Sequence, residues 1–402
     1  MENVTNVTTE EADGAVGGGN SDELRRLYEF LVKGVLLGLV SLMGILGNVL
    51  TMVILSRPQM RSSINCLLVG LARCDAALLV AAILIFSLPS VATYTGCLPH
   101  YMYYVYPSIA RIVYPMGLIA QTGSVYLTLT VTLERYVAVC HPLRARSLCT
   151  YGRARIYVVL IIVFSVLYNL PRFFEVERVT GTLPPYNTTI YMVSASALRN
   201  DPLYITIYVN WTYLLVMYFV PFLALAIFNC AIYMQVRKAN AERQRLSRLQ
   251  KKEIGLATML MCVVVVFFMC NILPLVNNVL EAFYGILQDE LIATSNLLVA
   301  INSSVNFVIY VIFGDKFKRL FFKIFWPQRG RCCRGGNDSP EATHEESFVS
   351  NGRTFSVRQP SSRMARNNGS RDVKLQLLAP STRSPCVYYP TDDELKGLDE
   401  QC

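Results

Sequence analysis

The sequence predicts an all-α membrane protein, a seven-transmembrane helix bundle followed by an amphipathic eighth helix. Three observations carry that reading. Only 16% of the 402 residues are charged and 53% are hydrophobic, whereas a soluble domain carries about 25% charged residues. Seven apolar stretches are long enough to cross a bilayer, which takes about 20 helical residues. They fall at 30–56, 66–93, 105–140, 155–174, 203–236, 254–284 and 288–313. Finally, cations crowd into alternate connections. Arg57 and Arg61 lie in the first, Arg144, Arg146, Arg153 and Arg155 in the third, and Arg237, Lys238, Arg243, Arg245, Arg248, Lys251 and Lys252 in the fifth. Lys316, Lys318, Arg319 and Lys323 follow the seventh stretch. Cations collect on the cytoplasmic side, so the N-terminus is expected outside the cell. The net charge of +9 is then a matter of topology, and no nucleic-acid partner is expected.

The expected organisation is a disordered, glycosylated extracellular N-terminus over 1–28, the bundle over 29–313, a membrane-surface helix over 314–326 and a disordered cytoplasmic tail over 327–402. Residues 1–28 are polar and contain Gly17-Gly18-Gly19, a composition that cannot bury enough apolar surface to fold. Asn3-Val4-Thr5 and Asn6-Val7-Thr8 are glycosylation sequons, and Asn187-Thr188-Thr189 in the long outer loop is a third. Asn210-Trp211-Thr212 is a fourth, at the membrane edge, and is discounted. No basic, apolar and small-residue signal pattern precedes the first span, so that span is expected to serve as its own export signal.

The first span holds Gly44-Ile45-Leu46-Gly47-Asn48-Val49, small residues that let helices approach with a polar Asn48 among them. The second holds Leu71-Ala72-Arg73-Cys74-Asp75. A carboxylate inside a membrane helix is a functional hypothesis by default. Arg73 is unexpected there and should either face a neighbouring helix or pair with an acid. The third span ends in Glu134-Arg135-Tyr136-Val137-Ala138-Val139-Cys140-His141-Pro142-Leu143, a charged pair where the helix meets water. The fifth carries Pro221 in its centre and the sixth Pro274; proline removes a backbone donor and deforms a helix locally. The seventh ends in Asn302-Ser303-Ser304-Val305-Asn306-Phe307-Val308-Ile309-Tyr310, with Asn306 and Tyr310 one turn apart on one face. Phe317, Leu320, Phe321 and Ile324 then form one apolar face opposite cations, as an interfacial helix does. Cys332-Cys333 behind it is a juxtamembrane palmitoylation site by position.

These residues resemble those of rhodopsin-like G-protein-coupled receptors. The Glu-Arg-Tyr…Pro-Leu stretch is very specific to that family, and the resemblance covers about residues 30–326. It implies that Glu134, Arg135, Tyr136, Asp75, Asn48, Pro221, Pro274, Asn306 and Tyr310 serve activation and G-protein coupling, with Asp75 also holding a sodium ion. The sequence departs from the pattern in several places. Ala110 stands where the family has a cysteine, and the outer loop over 175–202 has none, so the usual bridge to that loop is not expected. Gly117 stands where amine receptors carry Asp, and Ala300 where visual pigments carry the retinal Lys. The fourth span lacks the usual Trp, and Asn229, Ile272 and Phe307 replace a Tyr, a Trp and a Pro.

A closer resemblance rests on Ser124-Val125-Tyr126-Leu127-Thr128, on Tyr168-Asn169-Leu170-Pro171-Arg172-Phe173-Phe174-Glu175 and on Gln250-Lys251-Lys252-Glu253-Ile254-Gly255-Leu256-Ala257-Thr258-Met259-Leu260. These look like the FMRFamide receptors of insects and other invertebrates. The resemblance implies a short amidated peptide ligand with an Arg-Phe end, a heterotrimeric G protein as partner, and arrestin and a receptor kinase at the tail. The residues expected at the ligand are Glu175, Glu177, Gln121 and Glu281, with Asp201, Asp289 and Glu290 as further outer acids. A receptor for another short amidated neuropeptide is the alternative. A seven-span transporter is the alternative of a different class, and it would show internal repeats, of which the sequence has none. There is no Walker loop, His-Glu-x-x-His or Gly-x-Ser-x-Gly, and only His100, His141 and His344. Neither an enzyme nor a His-based metal site is expected.

Overall fold

The computed structural model describes residues 23–183, 188–241, 248–286 and 288–325. Asn3, Asn6, Asn187, Cys332, Cys333 and the tail over 327–402 lie outside the described residues. Among those described, seven helices are long and apolar enough to cross a membrane. They are Glu23–Leu55, Ser63–Thr95, Tyr101–Cys140, Tyr151–Phe174, Pro202–Lys238, Ala257–Tyr284 and Asp289–Phe313, here called the first to seventh spans. Large apolar side chains such as Met43, Leu160, Leu223 and Met269 point outward. A helix that is apolar all round belongs in lipid or a core, and these exposed rows are the lipid-facing surface.

Polar and small residues are turned inward instead. Gly44 and Gly47 of the first span lie against Ser304 and Phe307 of the seventh; a Cβ at Gly47 would stand 3.0 Å from Phe307 Cβ. Without that close approach Asn48 could not reach across. Its Nδ2 donates to Gly44 O and to Ser303 O, both at 2.9 Å. Below this contact Leu67, Leu71, Leu127, Val131, Leu260, Ile309 and Phe317 form one buried apolar cluster. Phe317 comes from the helix Asp315–Phe325 that follows the seventh span. Its ring meets Phe307 at 6.0 Å and Tyr310 at 5.9 Å, while Lys318 and Lys323 stay exposed. The apolar face expected for this helix is thus anchored on the bundle.

Two features differ from the sequence reading. The first helix begins at Glu23, inside the stretch expected to be disordered. Tertiary contacts explain this. Arg25 ion-pairs with Asp289 and, at 3.3 Å, with Glu290, and the Tyr28 hydroxyl lies 2.6 Å from Thr294 Oγ1. The second difference is that the bundle is not purely helical. Strands β1 (Val176–Leu183) and β2 (Thr188–Ala195) pair antiparallel, with Val176 opposite Ala195 and Gly181 opposite Ile190. Both strands are rich in Val, Thr and Ile, which suit a pleated surface. That propensity was legible, but the segment reads first as a loop because it joins two membrane helices.

No cysteine bridge holds this hairpin. Cys97 is a free thiol and is exposed. Ala110, where a bridge would start, is buried. Polar and aromatic contacts do the holding. Tyr104 donates its hydroxyl to Thr189 O at 3.0 Å, Arg178 donates to Ser108 Oγ at 3.3 Å, and the Arg178 guanidinium lies 4.3 Å over the Tyr191 ring. The thermal stability of the intact protein should therefore be unchanged by dithiothreitol; a loss of stability that reoxidation restores would disprove it.

Candidate functional site

A cavity of about 300 Å³ opens among the second, third, fifth, sixth and seventh spans. Its wall includes Phe86, Tyr114, Gln121, Tyr213, Tyr218, Asn277, Asn278, Ser295 and Asn296, and no charged side chain. Gly117 and Ala300 also line it, so the two positions that would mark an amine or a retinal site face the cavity without an ionisable group. Asn278 Nδ2 donates to Tyr218 Oη at 3.1 Å and to Pro274 O at 2.7 Å, tying the fifth span to the sixth at the proline. Asn277 Oδ1 and Ser295 Oγ are buried with no hydrogen-bond partner among the described residues. Buried polar atoms are nearly always paired. An unpaired amide and hydroxyl in the wall of a cavity are open to water or to a ligand.

The residues expected at the ligand separate in the structure. Gln121 lines the cavity. Glu281 is half-buried near the end of the sixth span, and Glu177 is exposed on β1; neither belongs to the lining. Glu175 is fully buried, and its carboxylate is occupied. Arg172 Nη1 donates to its two oxygens at 2.9 and 3.2 Å, and Tyr204 donates its hydroxyl at 2.7 Å. The Arg172 guanidinium also lies over the rings of Tyr208 at 5.0 Å and Tyr213 at 5.6 Å. Glu175 therefore closes the outer end of the bundle beside the cavity and is not an open acid for a cationic ligand. Asp289 and Glu290 share Arg25 in ion pairs that remain half exposed. Sequence reasoning did not single out Arg172, Asn277 or Asn278. The signals were the Arg172–Glu175 spacing, which places both on one helical face, and an Asn-Asn pair in an otherwise apolar span.

Beneath the cavity lies Asp75, with no exposed surface. Ser124 donates its hydroxyl to Oδ1 at 2.6 Å and Asn306 Nδ2 donates to Oδ2 at 2.9 Å. One residue thereby links the second, third and seventh spans. A single carboxylate beside the Ser124 hydroxyl is an all-oxygen set suited to a hard cation. Among the described residues there is no group of three or more His, Cys, Asp or Glu that could hold a metal, and a sodium ion would meet only these oxygens here. Asp75 and Ser124 would hold it, and the ion would neutralise the buried carboxylate.

The prolines sit between these levels. Pro221 follows wide helical turns over Ile205–Thr212 and Leu214–Phe219, which relieve the clash of the ring with the preceding turn. The next residue, Phe222, packs on Phe267 at 5.6 Å and Phe268 at 5.1 Å. Ile272, at the position of the family's aromatic switch, is 59% exposed and turned away from the core. The aromatic link between the fifth and sixth spans is made by these phenylalanines instead.

At the far end, Glu134 and Arg135 are 7% and 5% exposed, and Arg135 Nη2 lies 3.3 Å from Glu134 Oε1. Tyr136 packs on Phe228 of the fifth span at 5.2 Å, and its hydroxyl lies 3.2 Å from His141 Nε2. Tyr310 is buried, its hydroxyl without a partner among the described residues. The bundle therefore carries a neutral cavity at one end, a buried carboxylate in the middle and a closed ion pair at the other end.

This arrangement defines a membrane receptor, and the chain belongs to the rhodopsin family of seven-transmembrane receptors, whose description it matches over residues 47–310. The family is one of multi-pass plasma-membrane receptors and not of enzymes. Within it, the chain is 58% identical over 323 residues to the FMRFamide receptor of Drosophila melanogaster, covering 80% of this chain and 58% of that protein. It is 34% identical over 368 residues to an FMRFamide peptide receptor of Caenorhabditis elegans, covering 86% of this chain and 81% of the relative. The Sex peptide receptor of Drosophila melanogaster is 27% identical over 325 residues, covering 74% of this chain and 73% of the relative.

Proposed function

We propose that this chain is a receptor for a short amidated neuropeptide of the FMRFamide type, and that it activates a heterotrimeric G protein. The observation that carries the reading is the cavity wall of aromatic rings and neutral amides without a charge. An amidated aromatic peptide end is neutral, apolar over most of its surface and polar at one carboxamide. Such a wall matches it, and the two relatives of highest identity described above bear the FMRFamide name. The N-terminus lies outside the cell and carries glycans on Asn3 and Asn6, and the outer loop carries one on Asn187. The basic connections, the palmitoylated Cys332 and Cys333 and the tail lie inside, where G protein, receptor kinase and arrestin bind.

In the resting state Arg135 is held by Glu134. The peptide binds with higher affinity to a state in which the sixth span has moved outward, and it shifts the population by that difference alone. Arg135 then turns from Glu134 toward Tyr310 and the inserted end of the G protein. Sodium at Asp75 favours the resting state.

The test is the calcium and cAMP response of receptor-expressing cells to a panel of amidated neuropeptides, each paired with its free acid. Amidated Arg-Phe peptides should be potent. Their acids should be weaker by roughly a hundredfold or more, because a carboxylate in this cavity would be buried without a cation. Equal potency of acid and amide would remove the cavity from ligand recognition, and silence to the whole panel at confirmed surface expression would remove the ligand class.

A further inference from the structure

Arg73 is a membrane-embedded charge that the cavity, the Asp75 hub and the Glu134–Arg135 pair all leave unused. It lies about 15 Å along a helix that starts at Ser63, at 1.5 Å per residue. Its side chain is exposed, and no hydrogen bond or ion pair ties it to the described residues. Among the described residues it is ion-paired with no acid, one of the two outcomes expected from the sequence; the other, facing a neighbouring helix, remains. A guanidinium facing lipid needs compensation from somewhere.

The fourth span supplies the rest of the geometry. Gly70 of the second span lies against Val158 of the fourth, where a Cβ would stand 3.2 Å from Val158 Cγ2. Both residues are seven positions past the starts of their helices, Ser63 and Tyr151. The two helices therefore rise side by side from the same face of the membrane. Side chains on a helix tilt back toward its N-terminus, so Arg73 drops toward that face and toward Arg155, which is exposed only four residues into the fourth span. Cys66, two turns before Arg73 on the same side of the helix, is within electrostatic reach of both Arg73 and Arg155. The acid that also reaches Cys66 is Glu134, which is ion-paired with Arg135. Past Arg155 on the fourth span the exposed Val159, and past Arg73 on the second the exposed Val80, make the groove apolar and open.

We propose that Arg73 and Arg155 form a binding site for the phosphate headgroup of an anionic phospholipid, in the groove between the second and fourth spans. Charge complementarity selects the anion, and the position of Arg73 inside a membrane span selects a lipid as its source. The phosphate lies between the two guanidiniums, which bind phosphate oxygens through paired N–H donors. The acyl chains run along Val80 and Val159. Basic pockets between membrane helices near one interface are the usual form of such sites.

The test uses the full-length chain in phosphatidylcholine nanodiscs containing a phosphatidylserine with a photoactivatable acyl chain, and the adducts are mapped by peptide mass spectrometry. Adducts should fall on the second and fourth spans around Val80 and Val159. Each of Arg73→Gln and Arg155→Gln should lower their yield about fivefold, the effect of one cation near an anionic lipid surface, and Arg146→Gln should leave it unchanged. Should Arg73→Gln fail to fold, Arg155→Gln alone carries the test. Equal labelling by a photoactivatable phosphatidylcholine, suppression of labelling by inorganic phosphate added before irradiation, or cross-linking of this groove to a second copy of the chain would each overturn the proposal.

Discussion

Replacing Arg135 with Ala should abolish G-protein activation while the receptor still reaches the surface and binds its peptide. The guanidinium is buried and held 3.3 Å from Glu134, and it lies far along the third span from the cavity lined by Tyr114 and Gln121. The substitution therefore removes the group proposed to turn toward the G protein without touching the ligand wall. Arg135→Ala also leaves the Glu134 carboxylate buried without its ion-pair partner. The clean comparison is consequently Glu134→Gln, which keeps the shape but weakens the attraction to Arg135. That variant should raise signalling in the absence of peptide, because it destabilises the resting state relative to the active one. The measurement is G-protein activation with and without peptide, alongside surface expression and radioligand binding. Full signalling by Arg135→Ala at normal expression would sink the assignment of Arg135 as the coupling residue.

Arg172→Ala should be the most destabilising single change at the outer end of the bundle. Arg172 and Glu175 have side-chain exposures of 5% and 2%. Removing one partner of a buried pair strands the other charge, at a cost of about 3–5 kcal/mol. Tyr208 and Tyr213 lose their cation at the same time, and Tyr213 is part of the cavity wall. Thermal stability of the purified receptor should fall sharply and peptide affinity with it. The double change Arg172→Leu with Glu175→Leu removes both charges together and should recover most of the stability, since apolar replacement of a buried pair is often neutral or better. If Arg172→Ala were as stable as the parent, the pair would not be what closes this end. The double variant also separates two roles for Glu175. Normal response to a cationic peptide by that variant would show that Glu175 does not serve as the ligand's acid.

The membrane class, the number of spans and the motif positions were all legible in the sequence, because each rests on local chemistry. A run of about 20 apolar residues must be satisfied internally as a helix in lipid, and Asp75 or Glu134-Arg135 in such runs is conspicuous by cost alone. The same locality explains the amphipathic helix, whose Phe317–Leu320–Phe321–Ile324 spacing already defines its buried face.

Only the tertiary structure decided which polar groups are spent on one another. Glu175, Asp289 and Glu290 read as outer acids open to a cation, but Arg172 neutralises Glu175 and Arg25 is shared between Asp289 and Glu290. Pairing between residues as distant as Arg25 and Asp289 depends on how helices stack, which no local pattern records. The neutral cavity is of the same kind. Gln121, Asn277 and Ser295 lie on three different helices, and their convergence around one space follows from packing. The hairpin was a strand by propensity and a loop by context, and the bonds of Tyr104 to Thr189 and of Arg178 to Ser108 settled its form. Arg73 was visible in the sequence as an anomaly. Its place at an open groove beside Arg155 came from the close approach of Gly70 to Val158, a contact between two helices that the chain separates by a third.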